Sequence, residues 1–236
     1  MNGLRRWPTT FVGLRRIGNS AVRETEPVDE GDTSDAFPPG FFDRADPTPD
    51  TDFYLPPRFV THIDDGAIAA VGDVYAELGV DGQVLDLMSS WVSHFKTKPA
   101  RLRVLGMNAA ELDANPMADE RIVHDLNADP RIPLPDESMD DVVCCVSVDY
   151  LVRPVEVFRD VGRVLRPGGR FVCTFSNRVF ATKAIRGWLY ASDEERCRIV
   201  AEYFRQSQAF EAPTAARRTP PGHRGDPLYA VWAVAS

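Results

Sequence analysis

Short apolar runs alternate with turn residues and helix-period stretches from residue 84 to the end of the chain. This alternation restricts the fold more than any other feature of the sequence. The runs at 84–88, 103–108, 121–124, 141–146 and 170–175 are strand-length. The run Val142-Val143-Cys144-Cys145-Val146 is unbroken, as expected of a parallel strand buried on both faces. Pro154 opens the clearest helix, whose apolar stripe is Val155, Phe158, Val161 and Leu165. Pro167-Gly168-Gly169 ends it. Shorter helices are expected at 90–95, before Lys98-Pro99, and at 109–115, before Pro116. Helical positions also recur at 184–189, and Ser192 with Glu195 forms a capping box for a helix presenting Val200, Tyr203 and Phe204. Phe210 begins a strand, and 228–234 is the last. The loop between those two implies an antiparallel pair at one edge. The expected fold is α/β: a Rossmann-like, doubly wound, seven-stranded sheet, mostly parallel with an antiparallel C-terminal pair.

The sequence has 236 residues and a formal net charge of −8, so a nucleic-acid backbone is not an expected partner. No apolar run approaches the roughly 18–20 residues of a membrane span. No hydrophobic segment follows Arg5-Arg6 or Arg15-Arg16, so a cytoplasmic location is expected. Cys144, Cys145, Cys173 and Cys197 form no C-x-x-C pair and read as buried apolar residues; no metal site is expected. Residues 1–42 pass from a basic stretch to an acidic one with little apolar content, and are expected to be a disordered tail. Residues 43–236 form the domain. Its first part, 43–80, holds Phe53, Tyr54 and Phe59, then a helix capped by Asp64 or Asp65 with Ile68, Val71, Val74, Tyr75 and Leu78 on one face. This part is expected to cover the domain.

In open α/β sheets, ligands bind beyond the carboxyl ends of the strands. Asp86, Asn108, Asp125-Leu126 and Ser147-Val148-Asp149-Tyr150 fall at those ends. Asp and Asn also cap helices and turns there, so each residue alone has a purely structural explanation. Together they suit an adenosine-type ligand. Asn108 would take the ribose hydroxyls and Asp125 the adenine, with Met107, Leu126 and Val146 as walls.

Two segments carry a family resemblance. Ile132-Pro133-Leu134-Pro135-Asp136-Glu137-Ser138-Met139-Asp140-Asp141 precedes the fourth strand, and Arg163-Val164-Leu165-Arg166-Pro167-Gly168-Gly169 precedes the fifth. With them the chain resembles the class I S-adenosylmethionine-dependent methyltransferases, near the small type 11 branch. The resemblance implies S-adenosyl-L-methionine as cofactor. It places Asp86 at the family's first-strand acid, Asn108 at its ribose-binding acid and Asp125-Leu126 at its adenine contact. The departure lies in the first turn. Leu87-Met88-Ser89-Ser90 has none of the glycines through which the family's backbone approaches the cofactor. Met88, Ser89 and Ser90 would then line the site, the serine hydroxyls and a helix N-terminus at Ser90 receiving the carboxylate.

The expected activity is methyl transfer to a small-molecule acceptor. His62 is the candidate base, because its unperturbed pKa suits neutral pH. A helix-entry histidine bonded to backbone is the competing reading. Tyr54, Asp149 and Tyr150 are weaker candidates, His94 faces the same cleft, and Trp91, Trp188 and Trp232 are expected in the core. The alternative function is a non-catalytic, methyltransferase-like binding or scaffold domain. A nicotinamide dehydrogenase is disfavoured because no G-x-G-x-x-G follows the first strand. Oligomeric state is not legible.

Overall fold

A computed structural model describes residues 37–220 and 222–236, together with two short strands, β1 (Leu14–Ile17) and β2 (Ser20–Arg23), which pair antiparallel. The rest of the expected tail lies outside the described residues. Among the described residues, no helix is long and apolar enough to cross a membrane.

The central sheet has seven strands: β3 (Gln83–Leu87), β4 (Arg101–Gly106), β5 (Glu120–Val123), β6 (Met139–Cys145), β7 (Leu165–Phe175), β8 (Thr214–Arg217) and β9 (Tyr229–Val234). Their order is β5-β4-β3-β6-β7-β9-β8. The first five are parallel, whereas β9 runs antiparallel to both β7 and β8. The chain winds from β3 outward to β5, then returns to the other side of β3 with β6. The crevice between the carboxyl ends of β3 and β6 is thus the topological switch point.

Alternation along the strands feeds two cores. Leu85, Leu87, Leu105, Val142 and Cys144 face one cluster. It is closed by Val157, Phe158 and Val161 of α4 (Pro154–Val164) and by Val200, Tyr203 and Phe204 of α6 (Asp193–Ser207). Val84, Val104 and Val143 face the other, closed by Val71, Val74 and Tyr75 of α2 (Asp65–Glu77) and by Phe95. Asp64 caps α2, its side chain accepting from Ala67 N, and the Ser192–Glu195 capping box opens α6. Each such cap is worth about 1 kcal/mol.

Several boundaries differ from the sequence reading. The helix expected at 90–95 does not form; residues 88–100 cross from β3 to β4 as irregular chain. Phe210 makes an isolated bridge to Ala235, and the edge strand starts later, at Thr214. Strand β7 begins directly after α4, so Pro167-Gly168-Gly169 lies inside it. Trp188 is fully buried in the core, but Trp91 is half-buried outside it.

Packing against the domain begins at Phe37, ahead of the expected boundary at 43. Phe37 and Phe42 lie 5.4 and 6.3 Å from the Tyr203 ring of α6. Further on, α1 (Asp50–Tyr54) is pinned by charge. Asp50 is 3% exposed and receives Arg44 at 2.6 Å and Asn127 at 2.8 Å, with fully buried Lys183 at 3.3 Å. A buried carboxylate of this kind is tolerable only when so satisfied. The cluster fixes where residues 50–63 cross the strand ends.

Candidate functional site at the strand ends

Two residues at the switch point adopt a conformation that side chains disfavour. Met88, just after β3, has φ of 56°, and Val146, just after β6, has φ of 46°. Left-handed backbone is uncommon for any non-glycine residue and an outlier for a β-branched one. Each such residue costs on the order of 1–3 kcal/mol, and they concentrate at functional sites. Met88 therefore keeps the backbone form that a glycine would supply, without the glycine.

Behind this turn Asp86 is buried. Its Oδ2 accepts hydrogen bonds from Ser89 Oγ at 2.7 Å and Ser93 Oγ at 2.6 Å. Burial pushes its pKa up to about 6, against the two hydroxyls that lower it. Asn115 ties the same loop down, donating to Ser93 Oγ at 2.9 Å and to Ser90 O at 3.0 Å. The turn also lies directly on β4. Ser89 N donates to Leu105 O at 2.7 Å, and the Ser89 carbonyl presses on the Cα of Gly106 so closely that no side chain fits there.

These bonds correct the expected use of the serines. The Ser89 hydroxyl is donated to Asp86, and the Ser90 hydroxyl to Glu111 Oε2 at 2.5 Å. With no helix after the turn, no helix N-terminus is available to an anion there. Asn108 is likewise engaged. It caps α3 (Ala109–Ala114) by accepting from Glu111 N, and its amide donates to Tyr54 O at 2.9 Å and Leu55 O at 3.0 Å. Asp125 holds its own turn through Oδ1, which accepts from Asn127 N and Ala128 N. Among the described residues, its second oxygen takes no hydrogen bond. Ser147 Oγ lies 3.0 Å from Cys145 O and 3.4 Å from Met88 O, stitching the two strained turns together.

The structure brings every residue expected to contact the cofactor to one cavity of about 300 Å³. Asp86, Met88, Ser89, Ser90, Met107, Asn108, Asp125, Leu126 and Ser147 line it, and His62 reaches it from the cover. Its size suits a small organic ligand. Met107, Leu126 and Val146 supply apolar wall beside the unused Asp125 oxygen, a combination that fits a purine with an exocyclic amine. On Asn108 the amide N–H groups are both donated to the cover and Oδ1 already accepts from Glu111 N, so it is less open to a ribose.

The sequence reading expected residues 43–80 to cover the domain and named Tyr54, which lines the cavity, but it missed Arg58, Val60, Glu111 and Phe180 there and placed Trp91 in the core. Trp91 Nε1 donates to Val60 O at 3.1 Å and Glu111 Oε1 accepts from Arg58 N at 2.7 Å, so the cover is strapped to the sheet at several points. The aromatic density around the prolines at 47–57 was the only signal of this arrangement in the sequence.

His62 stacks edge-on against Phe180, with ring centroids 5.1 Å apart. Partial desolvation lowers its pKa, outweighing the attraction of Glu111, so the imidazole is neutral at pH 7. His94 also lines the cavity, from irregular chain rather than a helix, and burial lowers its pKa as well. The remaining candidates are poor bases. Burial raises the pKa values of Tyr54 and Tyr150, and the Tyr150 hydroxyl already accepts from Phe180 N. Asp149, pushed by burial to about 7, is 2% exposed and does not line the cavity. Cys145 lines it, but burial pushes its thiol to about 12, far from a reactive thiolate.

A family model described as a methyltransferase domain matches residues 87–173. No curated protein matches the chain. Among solved structures, the chain is similar to a SAM-dependent methyltransferase from Leishmania major at 16% identity, covering 72% of each chain with a TM-score of 0.53. It is similar to the cyclase SpnF at 14% identity, covering 76% of this chain and 89% of that one, TM-score 0.53. A SAM-dependent methyltransferase from Thermotoga maritima is 13% identical over 72% of this chain and 91% of its own, TM-score 0.50. At such identities the likeness is one of fold. The chain has the class I methyltransferase fold.

Proposed function

We propose that the protein is an S-adenosylmethionine-dependent methyltransferase acting on a small-molecule acceptor. The observation that carries this reading is the cavity at the switch point, where the strand-end residues and His62 meet. Asp125 would hold the adenine between Met107, Leu126 and Val146, and the turn at Met88–Ser90 would back the remainder of the cofactor. When bound, the cofactor supplies a methyl group already activated on sulfonium.

The chain's own contribution is then positional. The cover, strapped by Trp91 and Asn108, excludes water from the cavity. Phe180 fixes the His62 ring at the mouth. Neutral His62 accepts the proton of a hydroxyl or amine acceptor, and its lowered pKa keeps it a free base at neutral pH. The test is methyl incorporation from labelled S-adenosylmethionine across a panel of small hydroxyl and amine compounds. Incorporation that depends on His62 supports the reading. Stoichiometric cofactor binding with no turnover on any of them favours a binding protein.

A second reading, a binding or scaffold domain without methyl transfer, draws on one observation. The Asn108 side chain is spent on capping α3 and holding the cover, so the usual ribose receptor is engaged elsewhere.

A further inference from the structure

A carboxylate entering this cavity, whether the amino-acid end of the cofactor or an acid group on an acceptor, needs a receptor rich in N–H donors or positive charge. In the first turn, the groups expected to serve are engaged elsewhere. Ser89 N is donated to Leu105 O, both serine hydroxyls are donated to carboxylates, and no helix starts there.

The cations lining the cavity are Arg58, Arg178 and three histidines. Arg178 is paired with Asp226 at 2.7 Å. His124 Nε2 is engaged by Asp129 O at 2.8 Å. Desolvation lowers the pKa of His62 and of His94, disfavouring their charged forms. Arg58 differs from all of these. Among the described residues, no carboxylate lies within ion-pair distance of it, although the chain carries 35 acidic residues against 27 basic ones.

Its guanidinium is nonetheless fixed. It lies 4.5 Å from the Phe53 ring centroid, 5.5 Å from that of Phe180 and 5.8 Å from that of Tyr54. Such packing orients the guanidinium plane and thins its hydration. Nη2 donates to Phe53 O at 2.9 Å and Nη1 to Pro56 O at 3.3 Å. A guanidinium has five N–H groups. With two so engaged, three remain for a ligand, enough for a two-point grip on a carboxylate.

We propose that Arg58 is the carboxylate receptor of this cavity, so that the anion site stands on the cover rather than on the turn after β3. The proposal rests on the methyltransferase reading only for which molecule brings the carboxylate.

The test uses the full chain as wild type, Arg58→Gln and Arg58→Lys, each shown to be folded by its amide spectrum. Calorimetry compares S-adenosylhomocysteine with methylthioadenosine, which lacks the amino-acid end. If the carboxylate is the cofactor's, Arg58→Gln loses tenfold or more in affinity for the first and less than twofold for the second, with Arg58→Lys between. If it is the acceptor's, both affinities hold, and Arg58→Gln loses the wild type's preference for carboxylic acids over their methyl esters in methyl incorporation. A third arm needs no cofactor. The arginine Nε–H resonance that vanishes in Arg58→Gln should shift saturably with sodium acetate and not with sodium chloride at equal ionic strength. Wild-type protein that binds neither nucleoside yet shows the acetate response removes the methyltransferase reading and keeps the carboxylate site. An Arg58 resonance indifferent to acetate, with no effect of Arg58→Gln on ligand or acid preference, overturns the proposal.

Discussion

Replacing Gly106 with alanine should destabilise the protein through the first turn rather than through β4 itself. A Cβ at this position would run into the Ser89 carbonyl oxygen and meet the Ser89 carbonyl carbon at 3.3 Å and Leu112 Cδ2 at 3.1 Å. Leu112 can move, but the Ser89 backbone is held by its own N–H bond to Leu105 O and by Asn115 on Ser90 O. The turn must therefore lift. Overpacking of this kind costs about 1–3 kcal/mol, and the lost Ser89–Leu105 bond about 1 kcal/mol. The unfolded chain loses conformational entropy when the glycine is replaced, which offsets about 0.4–1 kcal/mol. The net expectation is a loss of about 2 kcal/mol, or roughly 4–8 °C in Tm for a domain of this size. Urea denaturation measures it directly. Gly79→Ala is the control: its φ is +65° and nothing lies within 4 Å, so it reports backbone strain alone and should cost about 1 kcal/mol. A Gly106→Ala protein as stable as wild type would show that the turn does not rest on β4 in this way.

Three further outcomes follow from the site. Asp86 has a folded-state pKa of about 6, above its unfolded value of about 3.9. Its contribution to stability is therefore present below pH 4 and lost as pH rises through about 6. Asp86→Asn should thus gain in Tm relative to wild type between pH 5 and pH 7.5, and a constant difference across that window would contradict the burial of an ionisable group there. His62→Ala should lower turnover by about 10²–10⁴-fold while leaving S-adenosylhomocysteine affinity within about threefold; a fully active variant excludes His62 as base. Because its lowered pKa frees the base early, the wild-type rate should be flat from pH 7 to 9 and fall only below pH 6.5. Asn108→Ala removes both the α3 cap and the ties to Tyr54 and Leu55, so it should cost about 1–2 kcal/mol and speed proteolysis within residues 44–60. Unchanged stability and protection would release Asn108 for a direct role in ligand binding.

The fold was largely legible because its signals are local and periodic. Apolar runs, Pro154, the Asp64 cap and the Ser192–Glu195 box each mark an element without reference to the rest of the chain, although the buried stripe of α4 is Val157, Phe158, Val161 and Val164, with Val155 off it and Leu165 already in β7. The placement of polar residues at strand ends was legible for the same reason. The hydrogen-bond partners of Ser89, Ser90 and Asn108 were not, because those partners are Asp86, Glu111 and the cover, up to 54 residues away. The missing helix at 90–95 has a physical cause of the same type. Ser93, Asn115 and Asp86 form a polar knot that holds the loop irregular, and a six-residue helix has too few turns to compete. Gly106 was visible in the sequence, but its reason lies in a backbone crossing that only the folded turn creates. The left-handed backbone at Met88 and at Val146 was not legible, since no glycine marks either position.

Equilibrium dialysis of the intact, folded chain against labelled S-adenosylmethionine tests most directly whether the cavity at the β3–β6 switch point is a cofactor site. Saturable binding of one molecule per chain, displaced by S-adenosylhomocysteine and weakened by Asp125→Ala, is the expected result. Folded protein that retains no label at millimolar ligand would contradict it, and would leave the strained turns at Met88 and Val146 as the frame of some other site.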